Sequence, residues 1–248
     1  MFDKYKSIEM SIEEKLQVLP KMMPRYYTIA SSALLSPTKV RIAISLTDFE
    51  TKSGRQFKGL VSSYYDNIFQ NYFKKDSKET ITSRIFFKDS LFKLPESSET
   101  PLIMVGPGTG VVPFIAFAEE RQFISQKDSQ TKFGPAELYF GCKNRNDDYI
   151  YKDEIAKFKT DGLISEVYEA FSREQENKFY VQDIIKDKTS DHIKDLILNQ
   201  NAHFYICGAT QMGRAVEDIL KDILGEDNAD YLQKMKDESR FAKELWSG

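Results

Sequence analysis

Pro101–Phe117 reads PLIMVGPGTGVVPFIAF, and its reading decides the fold. Leu102-Ile103-Met104-Val105 is a short apolar run of the kind that forms a buried parallel strand. Gly106-Pro107-Gly108-Thr109-Gly110 follows at once, and Val111–Arg121 is then apolar at helical spacing. Strand, glycine-rich turn and helix in that order make a phosphate cradle. Glycines let the backbone approach a pyrophosphate, and the helix N-terminus offers N–H groups and partial positive charge. Gly108, Thr109 and Gly110 are therefore nucleotide-binding candidates. The same pattern also describes a tight turn with no ligand, so the rest of the chain must decide.

From Pro101 onward strands and helices alternate. Leu102–Val105, Ala136–Phe140, Leu163–Glu169 and His203–Cys207 read as strands. Val112–Ser125, Lys152–Lys159, Val181–Asp187, Ser190–Asn199, Gln211–Leu224 and Asn228–Glu238 read as helices. That is a doubly wound α/β domain, with ligands expected at the C-terminal ends of its parallel strands. The region before it is different. Ser11-Ile12-Glu13-Glu14 fits a capping box opening a short helix that Pro20 and Pro24 end. Arg25–Ser32, Lys39–Phe49, Thr82–Phe87 and Phe92–Leu94 read as strands, Lys52–Arg55 as a turn, and Gly59–Phe73 as a helix. The polar linker Glu96–Thr100 divides the chain into a β-rich domain, 1–98, and an α/β domain, 99–248.

Composition narrows the function. The 248 residues are 41% hydrophobic and 13% aromatic, enough for real cores. A net charge of −3 argues against a nucleic-acid binder. The two cysteines, Cys142 and Cys207, make no disulfide framework, so a reducing, cytoplasmic setting is expected. His192 and His203 have no ligand-like neighbours, and no metal is expected. No apolar run reaches the ~18 residues of a membrane span.

Two further segments carry chemistry. Arg25-Tyr26-Tyr27-Thr28 puts a cation, two aromatics and a hydroxyl on one strand, with Arg25 and Tyr27 on one face and Thr28 on the other or at a bend. That set suits a flat ring attached to phosphates; it also suits an edge strand with ordinary surface aromatics. Ser172, Arg173, Lys178 and Tyr180 gather two cations, a hydroxyl and a phenol after one strand. A 2′-phosphate needs such charge-assisted donors, where an NAD site would carry a carboxylate. Glu174 and Glu176 intervene, which also fits a solvated charged loop.

The segments RYYTIASS, ETKSGRQFKGLVSS, MVGPGTGVVPFIAF, YFGCKNRNDDYIYKDEI, AFSREQENKFYVQD, FYICG and ELWSG occur in this order. Together they resemble the C-terminal, FAD- and NADP-binding half of the diflavin reductase family, within the ferredoxin–NADP⁺ reductase superfamily. The resemblance runs from about Leu19 to the end of the chain. It implies a partial antiparallel FAD-binding β-barrel followed by a doubly wound NADP-binding domain, with FAD and NADPH as cofactors. By resemblance, Arg25 pairs the FAD pyrophosphate, Tyr26 belongs to the same flavin-binding element, Tyr27 packs on the isoalloxazine ring, and Thr28 presents its hydroxyl near the flavin N5. Ala43, Ile44 and Ser45 match the strand beside the flavin, and Gly59-Leu60-Val61-Ser62 the turn that holds its pyrophosphate. Ser172, Arg173, Lys178, Tyr180 and Gln182 match the NADP-binding positions. Cys207 lies near the hydride-donating carbon, Glu244 replaces an Asp that stabilises the nicotinamide cation, and Trp246 covers the flavin.

The chain also departs from the family. Cys207-Gly208-Ala209 stands for Cys-Gly-Asp, the loop to Met212 is one residue shorter, and Ala215 replaces an Asp. The family's FMN domain, connecting helical domain and first barrel strands have no counterpart here. The resemblance implies hydride transfer from NADPH to FAD, then electron release to an FMN domain or haem protein. A missing N-terminal segment or chain would complete the barrel, and a longer anchored form would sit at the ER surface. The alternative is a non-catalytic nucleotide-binding paralogue, or a fragment lacking a complete FAD site.

Overall fold

The computed structural model describes residues 9–75 and 80–246. Ser247 and Gly248 of the terminal ELWSG motif lie outside them. In chain order the elements are α1 (Ile12–Val18), β1 (Asp48–Glu50), β2 (Gln56–Lys58), α2 (Leu60–Lys75), β3 (Leu102–Val105), α3 (Val112–Lys127), β4 (Ala136–Cys142) and α4 (Lys152–Thr160). β5 (Glu166–Phe171), α5 (Val181–Asp187), α6 (Ser190–Asn199), β6 (His203–Ala209), α7 (Thr210–Leu224), α8 (Tyr231–Asp237) and β7 (Phe241–Trp246) follow.

β3 to β7 form one parallel sheet in the order β5-β4-β3-β6-β7. All four residues of β3 are buried, and the strand's period of two divides them between two cores. Ile103 and Val105 pack with Ile184 and Ile185 of α5, Ile193 and Ile197 of α6, and Val216 and Leu220 of α7. Leu102 and Met104 pack with Phe114 and Ile115 of α3 and Ile155 and Phe158 of α4. Each such fully buried aliphatic or aromatic side chain contributes about 1.5–3 kcal/mol against exposure. A strand covered by helices on both faces must be apolar throughout, which is why β3 reads as a continuous run. The chain leaves β3 toward β4 and β5, then returns to its other side as β6 and β7. β3 therefore lies at the point where strand order reverses, and the glycine-rich turn crowns it.

β4, β6 and α3 each run two residues past their expected ends, and two elements in this domain differ more. The strand expected at Leu163–Glu169 is β5, Glu166–Phe171. Leu163 and Ile164 are buried, but in the turn that closes α4, where both N–H groups donate to the Phe158 carbonyl. The helix expected at Asn228–Glu238 begins with a separate 3₁₀ turn, Glu226–Asn228, ahead of α8. β7 carries no alternating signal, because Phe241 and Ala242 are both buried.

The N-terminal region departs further. The strands expected at Thr82–Phe87 and Phe92–Leu94 do not form, and those at Arg25–Ser32 and Lys39–Phe49 reduce to one antiparallel bridge, Ile29 to Ile42, and β1. β1 and β2 make a two-stranded hairpin around the expected turn, with Phe49 opposite Phe57. A strand is stable only with a neighbour on which to place its N–H and C=O groups, and these segments lack enough neighbours. α1 has its capping box but buries no residue.

Specific bonds tie this region to the α/β domain. Arg41 reaches Glu119 of α3 at 2.6 Å, and the Ser32 N–H donates to the other oxygen of Glu119 at 2.9 Å. Phe92 packs against Phe114, Phe117 and Tyr205, and the Tyr205 hydroxyl donates to the Lys93 carbonyl at 2.7 Å.

Candidate cofactor site

The glycine-rich turn is a 3₁₀ turn, Gly108–Val111, running straight into α3. Gly110 can be nothing larger, because a Cβ there would stand 2.0 Å from the Cys207 carbonyl oxygen. That contact presses the turn against the end of β6. Gly108 has φ +56° and open space where a side chain would be. One glycine packs the turn down and the other leaves room above it, which is the fit a pyrophosphate requires.

Next to this turn, residues from distant parts of the sequence meet. Cys207 of β6 and Glu244 of β7 are register partners in the parallel sheet. The Thr28 hydroxyl donates to one Glu244 oxygen at 3.1 Å, and the Ser90 hydroxyl donates to the other. The Glu244 carboxylate is thus held by two hydroxyls of the N-terminal region. Cys207 is fully buried, and its thiol is pushed up to about 12, first by burial and then by the Glu244 charge, with Thr28 opposing. At neutral pH it is an uncharged thiol and no nucleophile. Trp246 closes β7 opposite Ala209 and is half-exposed.

The flavin-side candidates are less completely assembled. Arg25 is exposed, and its guanidinium donates to the Met23 carbonyl. Tyr27 is half-buried, and its phenol is held up by burial, with the Arg25 charge opposing. Tyr26 turns outward, with Phe86 edge-on to its ring at 5.9 Å. Ala43, Ile44 and Ser45 lie outside any regular strand. Gly59 opens α2, and the buried Ser62 hydroxyl accepts from the Thr47 N–H at 3.2 Å and donates to the Gly59 carbonyl. Leu60 is exposed and Val61 half-buried.

Ser172 and Arg173 follow β5 directly, their N–H groups donating to the Cys142 and Lys143 carbonyls at 3.0 Å each. Lys178 and Tyr180 precede α5, and Gln182 stands in its first turn. Glu174 is drawn to Arg145, accepting from its N–H at 2.6 Å with the guanidinium at 3.7 Å. Among the described residues neither Arg173 nor Lys178 has an ion-pair partner. Both cations are exposed. Sequence reasoning missed Ser90, whose bond to Glu244 spans 154 positions and leaves no local signal.

Residues 1–64 match the model of an FAD binding domain, and residues 104–218 that of an oxidoreductase NAD-binding domain. The two matches place a flavin domain and an oxidoreductase nicotinamide-nucleotide domain on one chain. The chain is 37% identical over 251 residues to the NADPH–cytochrome P450 reductase of Cavia porcellus, covering 98% of this chain and 36% of that protein. It is 38% identical over 250 residues to that of Drosophila melanogaster, with the same coverage. Over nearly its whole length the chain is similar to the C-terminal part of these reductases, and it spans about a third of the length of the relatives it matches. Among the described residues no helix is long and apolar enough to cross a membrane.

Proposed function

We propose that the chain is the FAD- and NADPH-binding part of a reductase that passes electrons to an FMN domain or a haem protein. The observation that carries this reading is the meeting of Thr28, Cys207 and Glu244 beside the glycine-rich turn, at the C-terminal ends of β6 and β7. Bound there, FAD and NADPH would supply the redox chemistry, hydride transfer between nicotinamide and flavin and one-electron release.

The chain's own groups bind and orient. Gly108, Thr109 and Gly110 face the nucleotide pyrophosphate, and Ser172, Arg173, Lys178, Tyr180 and Gln182 hold the 2′-phosphate end. Arg25, Tyr26, Tyr27, Ala43–Ser45 and the Gly59–Ser62 turn take the flavin. Glu244, fixed by Thr28 and Ser90, would offer negative charge to a nicotinamide cation. The neutral Cys207 thiol fills the adjoining space without adding charge. Trp246, half-exposed at the end of β7, would cover the flavin.

The domain division at Glu96–Thr100 and a cytoplasmic setting belong to the same reading. A further polypeptide segment that supplies barrel strands would complete the flavin site. The competing reading, a nucleotide-binding module without a working flavin site, draws on the unformed strands around Arg25–Phe49. Purified protein loaded with FAD and mixed with NADPH separates the two. Flavin bleaching that slows about tenfold or more in Glu244→Gln supports the reductase. Intact NADPH binding with no flavin uptake at any FAD concentration would leave the nucleotide-binding module.

A further inference from the structure

β7 is an edge strand, and among the described residues it pairs with β6 alone. A strand end with one neighbour opens locally unless side chains hold it. The pleat divides its residues between two faces. Phe241 packs in the core shared with α7 and α8, and Leu245 packs against that core, so Lys243 between them takes the same face. Ala242 packs in the other core with Cys207. Glu244 follows on that second face, where Thr28 and Ser90 reach it, and Trp246 is next in the same phase.

Two residues of α7, one turn apart, grip the end of the strand on the first face. Gly213 lies against Leu245: a Cβ there would stand 2.4 Å from Leu245 Cδ2, so the leucine fills the space that a larger residue would take. Glu217 stands four residues on, on the same side of the helix. Its Oε2 accepts from Lys243 Nζ at 2.5 Å, and its Oε1 accepts from Lys236 Nζ of α8 at 2.7 Å. The Glu217 side chain is 13% exposed. Burial pushes its carboxyl up, but the bonds and charges of the two lysines outweigh burial and hold it below its ordinary value, so it is charged at neutral pH. One carboxylate thus joins α7, α8 and β7. Lys236 meets the start of β7, over the Phe241 ring at 5.4 Å, whereas Lys243 is the residue before Glu244.

We propose that Glu217 is a positioning residue for the cofactor site: through Lys243 it clamps the last residues of β7, and so holds Glu244 and Trp246 in place on the opposite face. Its bearing on the reaction rests on the roles proposed above for Glu244 and Trp246. The clamp itself needs no cofactor.

Trp246 is the chain's single tryptophan, so its fluorescence reads the end of β7 directly. Acrylamide quenching is measured on the cofactor-free full chain at low ionic strength, where an ion pair is least screened. Lys243 is exposed, so the fold tolerates Lys243→Met, which keeps the stem and removes the charge. That change should raise the quenching constant about twofold, because the ring is 40% exposed and has the rest of its surface left to open. Glu217→Gln should do the same, and the double variant no more than either, because all three remove one contact. Lys236→Met removes the carboxylate's other partner and should leave the quenching constant as it was, even where it lowers the melting temperature. In FAD-loaded protein, Lys243→Met should raise kcat/KM for NADH relative to NADPH, as Trp246→Ala does but by a smaller factor. Quenching unchanged in Lys243→Met, or raised equally by Lys236→Met, would overturn the clamp and leave Glu217 a stabiliser of α7 and α8. Raised quenching, with a nucleotide ratio that Trp246→Ala moves and Lys243→Met does not, would overturn the positioning role. A ratio that Trp246→Ala leaves unmoved would instead refute the flavin role of Trp246, and the quenching data would decide the clamp by themselves.

Discussion

At the scale of single residues, charge and burial decide two outcomes. Arg173 is exposed beside Ser172, and Glu174 is engaged by Arg145 rather than by Arg173. Its guanidinium is available to a 2′-phosphate, and a charge-assisted contact of that kind is worth about 1.5–3 kcal/mol. Arg173→Ala should therefore weaken 2′,5′-ADP binding about tenfold or more and leave 5′-AMP binding unchanged; calorimetry with both ligands checks it. Equal affinity for 2′,5′-ADP in both proteins would remove Arg173 from the site. Cys207 works through burial instead. Its thiol ionises near 12 in the fold against an ordinary value of 9, so the unfolded chain loses that proton first. Stability from this group is complete below pH 9 and is lost progressively as pH rises from 9 toward 12. Melting temperature measured between pH 8 and about 11 should fall less steeply in Cys207→Ala than in the wild type, the removed part being about 1.4 kcal/mol per pH unit. Parallel slopes would mean that the thiol is not buried as described.

At the scale of elements, the two glycines of the cradle separate packing from ligand binding. Gly110→Ala drives a methyl to 2.0 Å from the Cys207 carbonyl and should cost about 3 kcal/mol or more of stability. Gly108→Ala meets open space and pays only for its positive φ, about 1 kcal/mol. Urea melts give both values, and nucleotide affinity in Gly108→Ala then reports on the cradle alone. Equal destabilisation by the two changes would contradict the turn geometry. β7 makes a second case. It ends in Trp246, and a ring over the flavin competes with the nicotinamides of NADPH and NADH alike. Trp246→Ala in flavin-loaded protein should raise kcat/KM for NADH relative to NADPH and alter flavin quenching. An unchanged ratio with unchanged quenching would take the ring off the flavin. What the sequence shows follows from how local each cause is. β3, its turn and α3 are one continuous signal, and α5 and α6 have the expected ends because their apolar stripes and flanking residues are local. The register of β5 was hidden because Leu163 and Ile164 are buried without being strand. The Thr28–Glu244 bond spans 216 positions and follows only from the folded sheet. The resemblance did point to both residues, but it carried no sign that Ser90 joins them.

At the scale of the whole molecule, the two halves differ in how well they are covered. The α/β half has two closed cores, one on each face of its sheet. In the N-terminal half, Leu16, Met22, Leu46, Ile85, Phe87 and Leu91 are between 66% and 78% exposed. Side chains of this size on ordinary surfaces stand singly, and a concentration of them marks a surface built to be covered. The flavin-side residues stand on this same half, so their geometry is only as fixed as its few bonds to α3 and β7 make it: Arg41 and Ser32 to Glu119, and Thr28 and Ser90 to Glu244. Binding FAD must then order part of this half, and that ordering is subtracted from the affinity. The 248-residue chain should hold nucleotide firmly and FAD weakly. Size-exclusion chromatography should strip most flavin, and a dye such as ANS should brighten on the native protein and dim as saturating FAD is added. Glu119→Ala loosens the anchor without touching either cofactor. It should weaken FAD about tenfold, an effect of the size that breaking a partly buried ion pair with its hydrogen bonds allows, while 2′,5′-ADP binding stays as it was. A yellow monomer that keeps stoichiometric FAD through the column, or a Glu119→Ala variant that loses both ligands equally, would show that the N-terminal half is already organised without help.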